Sequence, residues 1–234
     1  MIDFHSHFLP AIDDGADCVE TSLAMLHESF HQGVRLIFAT PHFYADADDP
    51  KNFLLKRNQA YLALRNAISP SDKEIPDILL GAEILFFPGM SVADELVNLS
   101  MGTTPFLLIE PPMMPWSDSM LDEIELTGKN LHRIPVIAHV DRYMRILHDD
   151  TLFDRLQDRR LLAQVNASFF LHNSSVLHAL DLFHQRKIHF IGSDCHDMDE
   201  RAPNIGPAVD LIRLYGGSEY LQIINNRIYS HIGR

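Results

Sequence analysis

Two histidines two residues apart open the chain, and further metal-competent side chains recur along it. His5-Ser6-His7 lies on an extended segment. Alternation along such a segment points both imidazoles to one side, so both can bind one ion. The same side-chain types recur at seven more positions, which are Asp14, His42, Glu83, Glu110, His139, Asp194 and His196.

This donor set indicates a particular class of metal chemistry. Imidazole mixed with carboxylate, without a required thiolate, suits Mn, Fe or Zn better than Mg or Ca. Nine ligands exceed the coordination number of one ion, so two or three ions are implied. Paired ions of this kind serve phosphoester hydrolysis, in which a metal-bridging hydroxide attacks phosphorus. The alternative is that polar residues follow the strands only because loops are solvated. Solvation of loops does not readily explain nine metal-competent side chains near strand ends.

Short apolar runs alternate with helical patterns along the whole chain. Brief, near-continuous apolar runs are typical of buried parallel strands. Seven such runs occupy residues 1–4, 34–40, 78–81, 106–109, 135–138, 162–165 and 188–192. Helical spacing of apolar residues marks 20–32, 53–68, 119–131, 151–160, 174–185 and 207–215. This alternation predicts an α/β fold, either a parallel barrel or a doubly wound sheet.

The positions of the candidate ligands favour the barrel. Six of the seven predicted strands are followed by His, Asp or Glu, and the other by Asn166. The carboxyl ends of barrel strands share one rim, where active sites are built. An open sheet would spread the same residues along an edge. We therefore expect one domain over residues 1–234, a distorted seven-stranded (β/α)7 TIM-like barrel with the metal site at the C-terminal ends of its strands.

Composition excludes several classes of partner. The chain has 19 Lys and Arg against 32 Asp and Glu, a net charge of −13. Such a charge argues against binding nucleic acid or anionic lipid by bulk attraction. No apolar run reaches the roughly 18 residues of a membrane span, and the first residues do not resemble a signal peptide. Two cysteines cannot form a disulfide framework, so we expect a reducing compartment, the cytoplasm.

The ordered motifs resemble those of the PHP (polymerase and histidinol phosphatase) superfamily. They are His5-Ser6-His7, Asp13-Asp14-Gly15, Pro41-His42, Gly81-Ala82-Glu83-Ile84, Leu108-Ile109-Glu110, Pro135-Val136-Ile137-Ala138-His139, Gln164-Val165-Asn166 and Ser193-Asp194-Cys195-His196. Glu110 and the Val140-Asp141-Arg142-Tyr143 segment are most similar to the bacterial tyrosine-protein phosphatases of capsular and exopolysaccharide loci.

The resemblance implies a distorted seven-stranded α/β barrel that holds three metal ions, usually manganese. It places His5, His7, Glu83 and Asp194 on the first ion. Glu83, Glu110 and His139 would hold the second ion, and Asp14, His42 and His196 the third.

Two arginines near the ligands match phosphate-contacting positions in the family. Arg142 lies three residues after His139, and Arg201 lies five after His196, each in a predicted loop on the ligand face. A guanidinium fork grips phosphate in a bidentate manner that Lys cannot reproduce. Surface ion pairs with adjacent acidic residues are the alternative. We assign Arg142, Arg201 and His42 to the catalytic set.

Cys195 and Arg201 also form a C-x5-R pattern, the signature of cysteine-dependent tyrosine phosphatases. The five residues between them include three carboxylates, which would repel phosphate and raise the pKa of the thiol. We therefore expect Cys195 to be a small buried residue. Asn166 either hydrogen-bonds a ligand or phosphate or merely ends its strand. Aromatic and methionine-rich segments at 43–44, 86–88 and 113–116 either wall a substrate pocket or pack as a lid or contact surface.

Together these features predict a metal-dependent phosphomonoester hydrolase, most directly a protein-tyrosine phosphatase that regulates exopolysaccharide or capsule synthesis. The resemblance implies the tyrosine-rich tail of an exopolysaccharide-assembly autokinase as its substrate. A small-molecule phosphatase of the histidinol-phosphate type and a PHP nuclease remain alternatives on the same barrel, although a nuclease would benefit from a basic track that is not visible. A non-catalytic metal-binding scaffold is the alternative outside the enzymes.

Overall fold

All seven predicted strands are present in the computed structural model, which describes residues 1–232. Two of them are each interrupted and continue as a second, shorter strand. The strands are β1 (Ile2–Ser6), β2 (Leu36–Ala39), β3 (His42–Phe43), β4 (Asp77–Leu80), β5 (Glu83–Leu85), β6 (Phe106–Glu110), β7 (Ile134–Ile137), β8 (Leu162–Asn166) and β9 (Phe190–Gly192).

The interruptions divide the strands into two parallel sheets. Pro41, which has no N–H to donate to a ladder, separates β2 from β3. Gly81 lies between β4 and β5, where a Cβ atom would stand 2.5 Å from Met101 Sδ. One sheet has the order β1-β2-β4, and the other has the order β3-β5-β6-β7-β8-β9. The α/β fold with parallel sheets is therefore confirmed, whereas a single closed seven-stranded sheet is not seen among residues 1–232.

Backbone hydrogen bonds join the end of β1 to the chain after β9. The N–H of His7 donates to the carbonyl of Cys195 at 2.9 Å, and the N–H of Asp194 donates to the carbonyl of His5 at 2.8 Å. These bonds link the smaller sheet to the last strand of the larger one. They bring the first and last candidate ligands together although almost the whole chain separates them in sequence.

Helices fill the segments between strands. They are α1 (Val19–His31), α2 (Pro50–Ala67), α3 (Asp118–Leu131), α4 (Val140–Leu147), α5 (Leu152–Asp158), α6 (Ser168–Leu171), α7 (Val176–His184), α8 (Ile205–Leu214) and α9 (Ser218–Tyr229), with two 3₁₀ helices at Met90–Val92 and Asp94–Leu99. All six predicted helices are present, whereas α4, α6 and α9 were not predicted. Within residues 1–232, no helix combines the length and the apolar character that crossing a bilayer requires.

The prediction that Arg142 lies in a loop is wrong, because Arg142 lies in the first turn of α4. This helix starts directly after β7, and its N-cap is His139 in the left-handed region at φ 52°. No side chain caps the helix there. The sequence therefore lacks the Ser, Thr, Asp or Asn that normally announces a helix start. Arg201 lies in the loop after β9, as predicted.

An aromatic cluster lies beneath the ligand-bearing strand ends. The ring of Phe4 stacks on Phe190 with centroids 4.1 Å apart and meets Phe106 edge-on at 6.1 Å. The register between β1 and β2 then shifts between Asp3 and Ser6. An irregularity of this kind re-aims side chains. The strand thus packs Phe4 into the core and presents the histidines that follow it to the rim.

Candidate functional site

Glu83, the first residue of β5, is fully buried and lies at the centre of a polar cluster. Its Oε2 atom lies 3.1 Å from His5 Nε2 and 3.2 Å from both His7 Nε2 and His42 Nδ1. Its Oε1 atom lies 2.7 Å from His139 Nε2. Three strands, β1, β3 and β7, therefore deliver four imidazoles to one carboxylate, as expected for a ligand that bridges cations.

Asp14 closes the cluster on its solvent side. Its Oδ1 atom lies 3.4 Å from both His42 Nε2 and His196 Nε2. The side chain of Asp14 is 63% exposed, whereas His196 is buried. The turn that carries Asp14 requires the glycine after it, because a Cβ atom on Gly15 would stand 2.0 Å from the carbonyl oxygen of His7. The cluster is thus open to solvent at one edge.

Asp194 and Glu110 complete the set. Asp194 follows β9 in the left-handed region at φ 55°, a costly conformation for a non-glycine residue. Its Oδ1 atom lies 3.7 Å from His7 Nε2 and 3.8 Å from His5 Nε2. Glu110 ends β6, and its Oε2 atom lies 4.0 Å from His42 Nδ1. All nine predicted ligands therefore meet at one rim of the fold.

The nine residues fall into four overlapping groups whose ligand atoms lie within 4.8 Å of one another. The groups are His7, Asp14, His42 and His196; His5, His7 and Glu83; His5, His139 and Asp194; and His42, Glu83 and Glu110. The first group contains the three ligands that the resemblance gives to its third ion. His139 and Glu110 fall into different groups here, whereas the resemblance puts them on one ion. The assignment of ligands to particular ions stays a prediction.

Four buried side-chain atoms in this cluster have no hydrogen-bond partner. They are His42 Nδ1, Glu83 Oε2, Asp194 Oδ1 and His196 Nε2. An unsatisfied buried polar atom costs about 1–3 kcal/mol, more when it is charged, and is rare in folded proteins. Each of these atoms belongs to a candidate ligand and faces others. Divalent cations would satisfy all four at once, so the donor set fits a multinuclear metal centre.

Four of the five histidines are held in one orientation by an oxygen that accepts from Nδ1–H. The pairs are His5 with Gln164 Oε1 at 3.3 Å, His7 with Asp13 Oδ2 at 2.8 Å, His139 with Asn166 Oδ1 at 2.9 Å, and His196 with the carbonyl of Asp194 at 2.9 Å. A proton on Nδ1 leaves the Nε2 lone pair for a cation. The chain therefore fixes the metal-binding tautomer of these rings.

The pKa shifts in the cluster reflect burial and the close packing of charged groups. Burial alone would lower the pKa of His7, but the hydrogen bond to Asp13 and the nearby negative charge of Glu83 outweigh it and raise the pKa to about 10. Burial, followed by repulsion from Glu83, raises the pKa of Glu110 to about 7. Burial and the neighbouring His7 lower the pKa of His196 to about 4. Without cations, Glu110 therefore holds a proton up to near neutral pH, and the His7 imidazole is positively charged.

The two candidate arginines converge on one oxygen atom at the rim. Arg142 Nη2 donates to Asp194 Oδ2 at 2.6 Å, and Arg201 Nη2 donates to the same atom at 2.9 Å. Arg142 Nη1 lies 3.8 Å from Glu110 Oε1, and Arg201 Nη1 lies 3.8 Å from Asp14 Oδ2. Both guanidinium groups are therefore directed at the ligand cluster rather than at the acidic residues beside them in sequence.

Cys195 is buried, as predicted, and its thiol is unsuited to act as a nucleophile. Burial, followed by the nearby Asp3 carboxylate, raises the pKa of the Cys195 thiol well above its ordinary value. The backbone of Cys195 pairs with Ser6 of β1. The guanidinium of Arg201 binds Asp194 instead. The C-x5-R pattern is thus a coincidence of spacing.

The aromatic and methionine segments divide into core and rim residues. Phe43 and Trp116 are buried, and Trp116 packs against Tyr143. Tyr44 is exposed and stacks on the His42 ring, with centroids 5.3 Å apart and an interplanar angle of 17°. Met113 is also exposed. A wall for a substrate ring, if formed, can use only the exposed members.

Two residues of the site were quoted in motifs but not recognised as part of it. Gln164 Oε1 accepts from both the His5 ring and the backbone N–H of His139. Asp13 Oδ2 accepts from the His7 ring and from the backbone N–H of His42. Strand alternation could have identified Gln164, because Gln164 lies two residues before Asn166 and shares its face. Asn166 itself accepts from His139, and its Nδ2 donates to Asp194 Oδ2 at 3.0 Å.

Comparison with known proteins places this geometry in a family. Residues 1–229 match the family model described as capsular polysaccharide synthesis, CpsB/CapC. The chain is 31% identical over 235 residues to the tyrosine-protein phosphatase YwqE of Bacillus subtilis, a match that covers 94% of this chain and 86% of that protein. It is 28% identical over 230 residues to the tyrosine-protein phosphatase CpsB of Streptococcus agalactiae, covering 91% and 89% of the two chains.

A solved structure supports the same placement. The chain superposes with a TM-score of 0.81 and 26% identity on a structure from a study of YwqE from Bacillus subtilis and CpsB from Streptococcus pneumoniae, described as unique metal-dependent tyrosine phosphatases. The match covers 97% of this chain and 92% of the other. The family that the motifs resemble is confirmed: the chain belongs to the CpsB/CapC family of capsular polysaccharide synthesis.

Proposed function

We propose that this protein is a manganese-dependent phosphotyrosine-protein phosphatase that acts in capsule or exopolysaccharide synthesis. The observation that carries the proposal is the rim itself. Four unpartnered buried ligand atoms face one another, and two guanidinium groups point at the same spot from the solvent side. Cations that bind beneath a pair of arginines form a site for a dianionic phosphoryl group.

Each part of the rim has a distinct task in this reaction. The nine His, Asp and Glu side chains would hold two or three cations. When bound, these cations would supply Lewis acidity that lowers the pKa of water towards neutrality and neutralises charge on the phosphoryl group. Arg142 and Arg201 would exchange Asp194 Oδ2 for phosphoryl oxygens and keep them in line for attack. A tyrosine leaving group has a pKa of about 10, so strong proton donation is not required.

His42 serves this reaction as a ligand as well as a member of the catalytic set. Its Nδ1 atom faces Glu83 and Glu110, and its Nε2 atom faces Asp14. Both ring nitrogens therefore point at candidate ligands, which favours cation binding over free proton transfer. The ring of Tyr44 stacks on the His42 ring and limits the rotation of that imidazole.

The same arrangement supports a distorted (β/α)7 barrel as the underlying architecture. In that description β2 with β3, and β4 with β5, are halves of single strands. The hydrogen bonds between the end of β1 and the chain after β9 support closure at the rim. All ligands then lie at the carboxyl ends of the strands, where barrel enzymes place their sites.

The proposed substrate is a phosphotyrosine protein of the same pathway, such as a tyrosine autokinase of polysaccharide assembly. The family description and the names of the relatives support this choice. The experiment is a substrate panel measured with metal-stripped and manganese-loaded protein. The panel contains a phosphotyrosine peptide, para-nitrophenyl phosphate, histidinol phosphate and a short oligonucleotide.

We expect hydrolysis of the phosphotyrosine peptide with the highest kcat/KM, complete loss of activity after chelation, and recovery with manganese. Elemental analysis should give more than one transition ion per chain and distinguish Mn from Fe or Zn. Preference for histidinol phosphate or for the oligonucleotide would support those alternatives instead. Metal binding without turnover of any substrate would support the non-catalytic scaffold.

A further inference from the structure

An acidic groove is lined by the segment of chain that follows His42, one of the candidate ligands. We use this name for the hollow between the segment 45–55 and the two 3₁₀ helices. Its nearer part has a volume of about 710 Å³ and includes Phe43, which directly follows His42. Its farther part, of about 560 Å³, shares Asp49, Pro50 and Glu95 with the first. A chain whose phosphate lies in the cluster could continue into this groove.

The groove carries more negative than positive charge, because Lys51 is the one basic residue that lines it within the part of the chain that the structure describes. Among residues 1–232, Asp46, Asp94 and Glu95 make no side-chain hydrogen bond or ion pair, and all three are exposed. By contrast, Asp48 pairs with Lys56, and Asp49 caps α2 by accepting from a backbone N–H. Three unpaired negative charges along one groove attract a cationic partner and repel an anionic one.

Apolar side chains lie between these charges. Val92 is 76% exposed and Leu55 is 57% exposed, and both line the groove. Lys and Arg side chains bury their alkyl stems against apolar surface while the charged head stays in water near carboxylates. The groove therefore matches a basic side chain in both shape and charge, better than it matches an acidic or a purely apolar one.

We propose that the acidic groove binds a Lys or Arg that flanks the phosphotyrosine in the protein substrate. This inference rests on the proposed phosphatase function and names the substrate class more closely. The phosphoryl group would bind the cationic centre, and the basic flank would bind the groove, so the substrate would present opposite charges to the two parts of the surface. That pattern would also fix the direction in which the peptide lies.

The test is a set of phosphotyrosine peptides hydrolysed by the manganese-loaded protein. Each peptide carries one Arg, Ala or Glu at one of about four positions on either side of the phosphotyrosine, a reach of roughly 13 Å in extended chain. The variant is the double substitution Asp94→Asn with Glu95→Gln. Its matched control, Asp158→Asn with Glu219→Gln, removes the same charge from exposed carboxylates outside the groove.

We expect the wild-type protein to favour Arg over Ala by about 3- to 10-fold in kcat/KM at one or two neighbouring positions, and to disfavour Glu there. The preference should shrink at high salt, since exposed charges are screened. The groove variant should lose the preference and keep its rate on para-nitrophenyl phosphate, whereas the control should retain both.

Equal rates for Arg and Ala at every position, or an Arg preference that survives in the groove variant, would overturn the proposal. Circular dichroism spectra that match wild type ensure that the variant is folded. If no peptide and no para-nitrophenyl phosphate is hydrolysed, the phosphatase function itself fails and the groove proposal falls with it. The groove variant could also lose activity on the Arg, Ala and Glu peptides equally while it hydrolyses para-nitrophenyl phosphate at the wild-type rate. That result would overturn the groove proposal but leave the phosphatase function intact.

Discussion

Replacement of Arg142 by Lys tests whether the arginine pair holds the phosphoryl group. Arg142 uses two nitrogens, with Nη2 at 2.6 Å from Asp194 Oδ2 and Nη1 at 3.8 Å from Glu110 Oε1. Lysine keeps the charge but has one nitrogen on a flexible stem, so it cannot reach both positions. The substitution therefore removes a directed contact while it leaves the net charge of the rim unchanged.

The expected loss follows from the value of one charge-assisted hydrogen bond. Such a bond contributes about 1.5–3 kcal/mol, which corresponds to a fall of roughly 10- to 150-fold in kcat/KM. The side chain of Arg201 is more exposed than that of Arg142, at 38% against 25%. Solvent weakens exposed charge pairs, so Arg201→Lys should lose less than Arg142→Lys.

The assay combines kcat/KM on a phosphotyrosine peptide with the manganese content of each variant. Arg145→Lys is the matched control, because Arg145 lies one turn further along α4 and is exposed without a side-chain partner among the described residues. The reasoning is refuted if Arg142→Lys and Arg201→Lys both turn over at the wild-type rate. A variant that loses manganese together with activity would instead show that the arginines stabilise the ligand cluster.

Three further outcomes follow from the same contacts. Cys195→Ala should keep turnover within a few-fold of wild type, and a loss of about a thousandfold with metal still bound would indicate thiol chemistry instead. Asn166→Ala leaves the buried Nδ1–H of His139 without its acceptor and should weaken manganese binding by about 10- to 100-fold in a calorimetric titration. Burial and a neighbouring arginine lower the pKa of His189 to about 4, below the ordinary value of about 6.5. As pH drops, the unfolded state therefore takes up a proton before the folded state does. The free energy of unfolding should fall by up to about 3 kcal/mol between pH 6.5 and pH 4. His189→Asn keeps an acceptor for the N–H of Ala163 and should remove this pH dependence of the free energy of unfolding, as measured by urea unfolding at each pH. An unchanged pH dependence would contradict the prediction.

The sequence was sufficient to locate the candidate ligands because their positions follow from a local rule. Eight of the nine, all except Asp14, lie within four residues after a short apolar run, and parallel strands bring such positions to a common rim. Glu83 and His139 lie 56 residues apart in sequence and meet at 2.7 Å through this rule alone. No knowledge of the helices between them was needed.

The strand break, the start of α4 and the orientation of Arg142 could not be predicted from the local sequence pattern, because they depend on residues distant in sequence or on backbone conformation. At the break between β4 and β5, a side chain at position 81 would collide with Met101, and no periodicity reveals that contact. Helix α4 begins at His139 in a left-handed conformation, without a capping side chain, and so gave no start signal. The orientation of Arg142 depends on that helix, so its convergence with Arg201 on Asp194 could be expected only from the family resemblance.

The charge of the molecule connects these observations. Burying carboxylates and imidazoles is unfavourable unless they are paired, and Glu83, His5 and Asp194 are almost fully enclosed. With a net charge of −13, the chain has few cations of its own to neutralise them. Among residues 1–232, Arg142 and Arg201 are the arginines that contact the cluster, and both donate to Asp194 Oδ2 rather than to Glu83 at its centre. The centre is therefore left for cations from solution, and once these neutralise the carboxylates, Asp194 Oδ2 attracts the arginines less strongly. Under the proposed function, a phosphoryl group would then compete for the two arginines and displace them from Asp194.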